Sequence, residues 1–296
     1  MRKFYLSMEK KQVLEGYVFV SPFIIGLLVF FAYPLYISVK LSLGKITRMA
    51  GFSIEWSGFE HYIRAFIIDV NFIPMFLNAI RQTLTKVPLI IVFSLLIAIL
   101  VNKSIRFRGF FRTAFFIPFL LGTGEVMRQL LNQDVDLEVL SLAGGNLIPR
   151  EFLIYMGPEV VQYIDTFFGM IVVVLWSSGV QILLFLSGLQ SIPVSLYESS
   201  KVDGATEWDM FWKITLPMIS PIILLNIIYS LVDSFAFVTN PILSYIQSYG
   251  FKQANFEYAA ALGWIYFGFI ILLVVVVMGV LGRYVYVSDV KGAKNK

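Results

Sequence analysis

The chain has 296 residues, 58% of them hydrophobic and 16% aromatic, with only 14% charged and a formal net charge of +4. A soluble globular protein needs more polar surface than that, and nucleic-acid binding is excluded by where the cations sit, in short clusters beside apolar runs, as the positive-inside bias and anionic lipid require. With no cysteine and His61 as the single histidine, disulfides and thiolate or HExxH metal sites are excluded as well.

Apolar runs of about 20 residues, enough for a helix to cross a bilayer, recur along the chain, so the expected fold is all-α: one polytopic membrane domain with six transmembrane helices. Residues 1–16 are polar, with Arg2, Lys3, Lys10 and Lys11, and read as cytoplasmic. The run over 17–43 is too long for a signal-peptide core and lacks a small-residue cleavage site, which predicts a retained first span. Residues 44–76 form a mixed outer segment holding Trp56, Gly58, His61 and Tyr62. The second span is expected over 77–101, with Arg81 and Lys86 near its outer end, where long side chains snorkel. Lys103, Arg106, Arg108 and Arg112 mark the inner face, and a third span runs outward over 110–131, with Glu125 and Arg128 set to pair on one helical face. Residues 133–164 carry Asp134, Asp136, Glu138, Glu151 and Glu159 against Arg150 alone and read as outer. The fourth span, 165–189, returns inside; the fifth covers 218–245 and the sixth 258–285, with Lys252 on a short outer loop between them. Arg283, Lys291, Lys294 and Lys296 close the chain inside, making 17–285 the membrane domain and 286–296 a cytoplasmic tail.

Between the fourth and fifth spans lies LYESSKVDGATEWDMFWKITLPMISP, residues 196–221. Leu196, Tyr197 and Val202 alternate with Glu198, Lys201 and Asp203 as in a short amphipathic helix. Gly204 breaks it, and Trp208, Phe211, Trp212 and Ile214 then recur at helical spacings until Pro217 and Pro221 interrupt. The pattern predicts a two-helix elbow on the cytoplasmic side. Glu198-Ser199-Ser200, Gly204, Ile214 and Leu216-Pro217 match the spacing of the "EAA" loop of ABC-importer permease subunits, and Asp203-Gly204-Ala205 has the form found in carbohydrate permeases. Ser-Ser stands where that family usually has Ala-Ala. The resemblance extends to Pro22, Tyr33-Pro34, the 56–62 segment WSGFEHY, Arg112-Thr113 with Phe116-Ile117-Pro118, and 188–193 GLQSIP, which are similar in kind and order to the maltose-type sugar permeases. It implies that Glu198 reaches a basic group on a partner ATPase, that Gly204 makes the turn and permits close contact, and that the aromatic helix through Phe211 seats in a cleft.

The fifth span carries the pathway candidates. Asn226, Asp233 and Asn240 are seven apart, so they drift only about 20° at each step and form one polar stripe, joined by Tyr229 and Ser230. A charge at that depth costs at least about 2.5 kcal/mol unless water, a partner or a ligand meets it. Trp176 and Gln181 on the fourth span and Trp264 and Tyr266 on the sixth are further candidates to line a sugar pathway, since hydroxyls suit amides and carboxylates and sugar C–H faces suit rings. The same residues could instead be interhelical hydrogen-bond glue, a partner's counter-ion, or core and belt aromatics.

No phosphate loop, GxSxG elbow or metal-ligand cluster appears, so the chain is read as no enzyme and as holding no cofactor of its own. The resemblance implies one permease subunit of a bacterial importer for an oligosaccharide or related carbohydrate, in the cell membrane with both termini cytoplasmic. Its expected partners are a second, nonidentical permease, an ATPase dimer holding Mg-ATP, and an extracytoplasmic solute-binding protein. Competing readings are an importer for an amino acid or polyol phosphate, a proton-coupled carrier, which would show an inverted repeat, and a membrane-embedded enzyme, which would show clustered acids or His.

Overall fold

The structure is a computed structural model that describes residues 8–48, 53–102, 109, 174–175, 177–237 and 240–285. The expected third span with its Glu125 and Arg128, the 133–164 loop, most of the fourth span, the inner basic cluster and the extreme ends lie outside the described residues.

Three helical stretches among the described residues are long and apolar enough to cross a membrane: Gln12–Ser42, Phe72–Asn102 and Phe256–Tyr284, with mean hydropathies of 2.2, 2.6 and 2.8. Two bent helix pairs pass the same test if each is counted as one span, which would make five. The first stretch is built from α1 (Met8–Leu27), a π-helical turn at Leu28–Ala32, and α2 (Tyr33–Ser42). Pro34 explains the wide turn, because its ring cannot donate a helical hydrogen bond and presses on the carbonyl four residues back. No residue from Gln12 to Lys40 is buried, so this helix is solvated by lipid or by another subunit and contributes no core of its own.

The described residues fall into two compact units, one of Met1–Pro74 with Ser244–Gly268 and the other of Met75–Leu243 with Phe269–Lys296. In the first, the segment expected only as mixed loop folds into an antiparallel hairpin, β1 (Gly44–Arg48) on β2 (Ser53–Trp56), pairing Gly44 with Trp56 and Ile46 with Ile54, with a bulge between Ile46 and Arg48. A short α3 (Glu60–Ile63) and a π-helical turn (Arg64–Ile68) lead to Asp69. Its carboxylate accepts the backbone N–H groups of Asn71 and Phe72 at 3.0 and 3.2 Å, capping α4 (Phe72–Asn102). It also accepts the phenols of Tyr245 at 2.8 Å and Tyr258 at 2.6 Å. Burial pushes the Asp69 carboxyl up, but the Tyr258 and Tyr245 hydroxyls and the two N–H groups outweigh it and hold the group below its ordinary value, so it stays ionised. Further ties hold this unit: Ile46 N–H donates to Glu257 Oε1 at 2.8 Å, His61 Nε2 donates to the Gly44 carbonyl at 3.1 Å, and Trp264 Nε1 donates to Ser38 Oγ at 3.2 Å. His61 is thus a hydrogen-bonded, buried histidine.

The second unit is organised round a core of Ala98 on α4, Ile182, Phe185 and Leu189 on α5 (Gly179–Gln190), Ile192, and Ile219, flanked by Ile91, Leu95, Ile222 and Ile223. α5 packs directly on α9 (Ser220–Ala236). Gly188 permits it, since a Cβ there would stand 2.8 Å from Ile222 Cγ1. The fifth span, expected as one helix over 218–245, is broken: α9 ends at Ala236, Phe237 is extended at φ −63° and ψ 137°, and α10 (Pro241–Gln247) starts anew. Pro241 disfavours a helical residue before it, and Asn240 fills that position, donating from Nδ2 to Phe235 O at 3.2 Å and accepting at Oδ1 from Ile242 N–H at 3.1 Å. After a π-helical turn (Ser248–Lys252), α11 (Phe256–Leu281) completes the described chain apart from a 3-10 turn, Gly282–Tyr284.

Candidate functional site

The elbow is the best-defined candidate. Pro193, extended at φ −61° and ψ 128°, ends the turn after α5 and starts α6 (Val194–Val202), bent 62° from α5. α6 closes with a Schellman motif: Gly204 sits at φ +80°, its N–H donates to Lys201 O at 3.1 Å, and Ala205 N–H donates to Ser200 O at 2.9 Å. A positive φ at that position is what the sequence asked of a glycine. Thr206 then caps α7 (Glu207–Met210), its Oγ1 accepting from Asp209 N–H at 3.2 Å while the Asp209 carboxylate accepts from Thr206 N–H and Oγ1–H. The Thr206 hydroxyl, with Lys213 at 3.1 Å, holds the Asp209 carboxyl down at about 2.

The second elbow helix continues through a π-helical turn (Phe211–Thr215) into α8 (Leu216–Met218), then bends by 65° into α9. Pro217 and Pro221 were expected to interrupt it; helix persists across Pro217, which takes an early α8 position needing no N–H partner, and the bend falls at Ile219. The hydroxyls of Tyr197 and Thr215, 2.9 Å apart, tie the two arms together. Ile214 packs on the core beside Tyr197 and Met218. Ile99 and Asn102 of α4 line a cleft of about 260 Å³ with Leu189, Tyr197, Phe211 and Thr215, which seats the elbow against the C-terminal end of α4. Trp208, Phe211 and Trp212 form one cluster with centroids 5.2–6.2 Å apart, of which Trp208 stays 69% exposed.

Glu198, Ser199, Asp203 and Gly204 are exposed on the elbow, and Ser200, Ala205, Leu216 and Pro217 are half-buried. The serines turn inward electrically although they sit outside: Ser199 Oγ and Ser200 Oγ both donate to the Leu196 carbonyl, at 3.2 and 2.8 Å. Their hydroxyl protons are spent on their own helix, leaving only acceptor oxygens where the family usually has two alanines.

The polar stripe is divided by the break. Asn226, Ser230 and Gln181 are fully buried between α5 and α9, with Gln181 Nε2 donating to Ser230 Oγ at 3.0 Å and Asn226 Nδ2 to Gln181 O at 3.4 Å. Gln181 Oε1 and Asn226 Oδ1 have no hydrogen-bond partner among the described residues. Tyr229 and Asp233 are half-buried, and Asp233 interacts electrostatically with Lys86 of α4. Asn240 lies off the α9 helix, so it does not continue the stripe. Trp264 and Tyr266 belong to the first unit, with Tyr266 buried; Trp176 lies outside the described residues.

Residues 59–288 match the model of the family described as "Binding-protein-dependent transport system inner membrane component". The chain belongs to this family. As a member, the permease is 29% identical to the "Probable ABC transporter permease protein YesP" of Bacillus subtilis (strain 168) over 86% of each chain. It is 26% identical to the "Arabinooligosaccharides transport system permease protein AraP" of Halalkalibacterium halodurans, covering 95% of this chain and 90% of that protein. Its fold is also that of a bacterial alginate ABC transporter chain solved in complex with an alginate pentasaccharide-bound periplasmic protein, with a TM-score of 0.62, 21% identity and coverage of 94% and 97%.

Several residues of the permease escape a sequence reading. Lys86, expected near the outer end of its span, is half-buried, 4.7 Å from the Phe237 ring centroid, and interacts electrostatically with Asp233. Beside it Thr83 Oγ1 and Ser234 Oγ hydrogen-bond at 3.1 Å, joining α4 to α9. Asp69 gave no local sign beyond lying three residues before α4, and its phenol partners stand 176 and 189 positions away.

Proposed function

We propose that this permease forms half of the translocation pathway of a bacterial ATP-driven importer for an oligosaccharide, and that the elbow of residues 196–221 transmits closure of a separate ATPase dimer to the membrane helices. The observation that carries the reading is the elbow itself. Its two arms are locked by the Schellman turn, the Thr206–Asp209 cap and the Tyr197–Thr215 bond, and its root is continuous with the α4–α5–α9 core. A rigid knob of this kind moves its core as a body when it is pushed. Glu198, Asp203 and Gly204 lie on its exposed surface, where an ATPase with a basic group would meet them. Mg-ATP belongs to that partner, a second permease completes the pathway, and an extracytoplasmic binding protein delivers the sugar.

The arabinooligosaccharide relatives support the substrate class. Gln181 Oε1 and Asn226 Oδ1 are two buried acceptors with no donor among the described residues, and sugar hydroxyls would supply donors once α5 and α9 part. Co-expression with the second permease and the ATPase tests the reading: the ATPase co-purifies, and proteoliposomes take up labelled oligosaccharide only with ATP and binding protein. Uptake driven by a proton gradient without ATP would replace the importer with a carrier.

Six spans with both termini inside are part of the proposal. In this cysteine-free chain, Gly144→Cys reacts from outside with a membrane-impermeant thiol reagent and Asn295→Cys does not, because charge asymmetry places the acidic loop outside and the basic tail inside. The reverse labelling pattern overturns the topology.

A further inference from the structure

Over residues 63–70, burial is inverted relative to a surface that faces water. The two ionisable side chains of this stretch are turned inward: the Arg64 guanidinium lies 4.3 Å above the ring of fully buried Tyr258, and Asp69 accepts the Tyr245 and Tyr258 phenols. The large apolar ones are turned outward. Ile63 is 53% exposed, Phe66 51%, Ile67 78%, Ile68 66% and Val70 83%. One exposed isoleucine needs no explanation, but five large apolar side chains within eight residues make a patch that water does not favour. No exposed polar side chain interrupts it, whereas a protein interface carries a hydrogen bond for roughly every 100–200 Å².

Three helix ends fix the depth of the patch. Tyr62 donates to Ser42 Oγ at 2.9 Å, at the end of the stretch Gln12–Ser42. Asp69 caps the first turn of α4, and Tyr258, which donates to Asp69, lies in the first turn of α11. Phe66 also packs edge-on against Phe72, the first residue of α4, with ring centroids 6.3 Å apart. The stretches Gln12–Ser42 and Phe72–Asn102 have 31 residues each, which at 1.5 Å per residue is about 46 Å, close to the thickness of a bilayer with its headgroup layers. Their joined ends, and the patch between them, therefore stand in a headgroup layer. Trp56 and Phe59, 74% and 65% exposed, precede the patch in the chain and are of the residue types that gather at that level.

We infer that residues 63–70 are a membrane contact that does not span: an interfacial anchor whose Ile63, Phe66, Ile67, Ile68 and Val70 side chains enter the boundary between headgroups and acyl chains. Arg64 and Asp69 hold the anchor from within, through Tyr258, to the start of α11. The occupant of the patch is the lipid surface itself. On the topology proposed above the leaflet is the outer one; the lipid contact needs only the three helix ends and stands in either leaflet.

The test uses the whole complex in lipid nanodiscs, with cysteine-free partner subunits and one cysteine placed in this cysteine-free chain, either Ile67→Cys or Val70→Cys, carrying a nitroxide spin label. Both side chains are exposed, so neither change removes a core contact, and each variant is read on preparations in which the ATPase co-purifies in full. Collisions of the label with oxygen, which concentrates in hydrocarbon, and with a water-soluble nickel chelate are measured by power saturation, against a spin-labelled phospholipid in the same discs. At both positions oxygen accessibility exceeds nickel accessibility, as it does for the labelled lipid. Nickel accessibility above that of oxygen at either position shows a surface in water and overturns the anchor. Low accessibility to both reagents shows that a protein covers the patch and overturns it as well.

Discussion

Replacing Gly204 by Asp lowers uptake at least about tenfold while leaving the chain inserted in the membrane. The structure separates two costs that a sequence reading could only name together. The first is conformational: at φ +80° a β-carbon is disfavoured by roughly 1–2 kcal/mol in most residues, although Asn and Asp visit this region more readily. The second is steric, and among the described residues it is absent, because a β-carbon at Gly204 meets none of their atoms within 4 Å. A steric or electrostatic penalty from bulkier residues here therefore reports contact with a partner. Gly204→Ala carries the backbone cost with little bulk, so it keeps the ATPase and loses only a small part of its activity. Gly204→Asn and Gly204→Asp tolerate the backbone but add bulk, and Asp adds charge as well. Both lower ATPase co-purification and uptake by at least about tenfold, equivalent to about 1.4 kcal/mol of docking energy. If Ala proves as damaging as Asp, the elbow fails through its own backbone; if all three behave as wild type, it is not the coupling element.

The elbow was legible in the sequence because its determinants are local. A glycine after a helical pattern and prolines at the far end each act within a few residues of themselves. The first, second and sixth spans were legible for a similar reason: apolar length is a one-dimensional property. What failed was the assumption of continuity. The stripe through Asn226, Asp233 and Asn240 has the right period for a helix, yet α9 ends at Ala236, before the count reaches Asn240, and Pro241 begins a new helix. The periodicity was real as far as Asp233 and accidental beyond it.

Other features depend on pairs far apart in the chain, which no periodicity reveals. Asp69 reads as an ordinary loop carboxylate until Tyr245 and Tyr258 are brought to it. The hairpin at 44–56 alternates too briefly, over five and four residues, to stand out from a mixed loop. Lys86 has the sequence appearance of a snorkelling cation, and only the packing of α4 on α9, through the Thr83–Ser234 bond, turns it toward Asp233.

That last pairing changes what substitution at Asp233 reports. Asp233→Asn strips Lys86 of its counter-charge within a membrane-spanning helix, and Lys86→Met does the same to Asp233. Removing one member leaves the other half-buried charge without its compensation, so both single variants lose thermal stability and assembled yield in detergent. The double variant Lys86→Met with Asp233→Asn carries no charge to compensate, and its assembly returns close to wild type. Its uptake returns as well if Asp233 serves to anchor α9 on α4, which is the role that Lys86 and the neighbouring hydroxyl bond indicate. A fully assembled double variant that takes up no sugar would instead place the Asp233 carboxylate in the pathway, since the only thing it lacks is a charge for the substrate to meet. Single variants as stable as wild type would show that the two residues do not compensate each other.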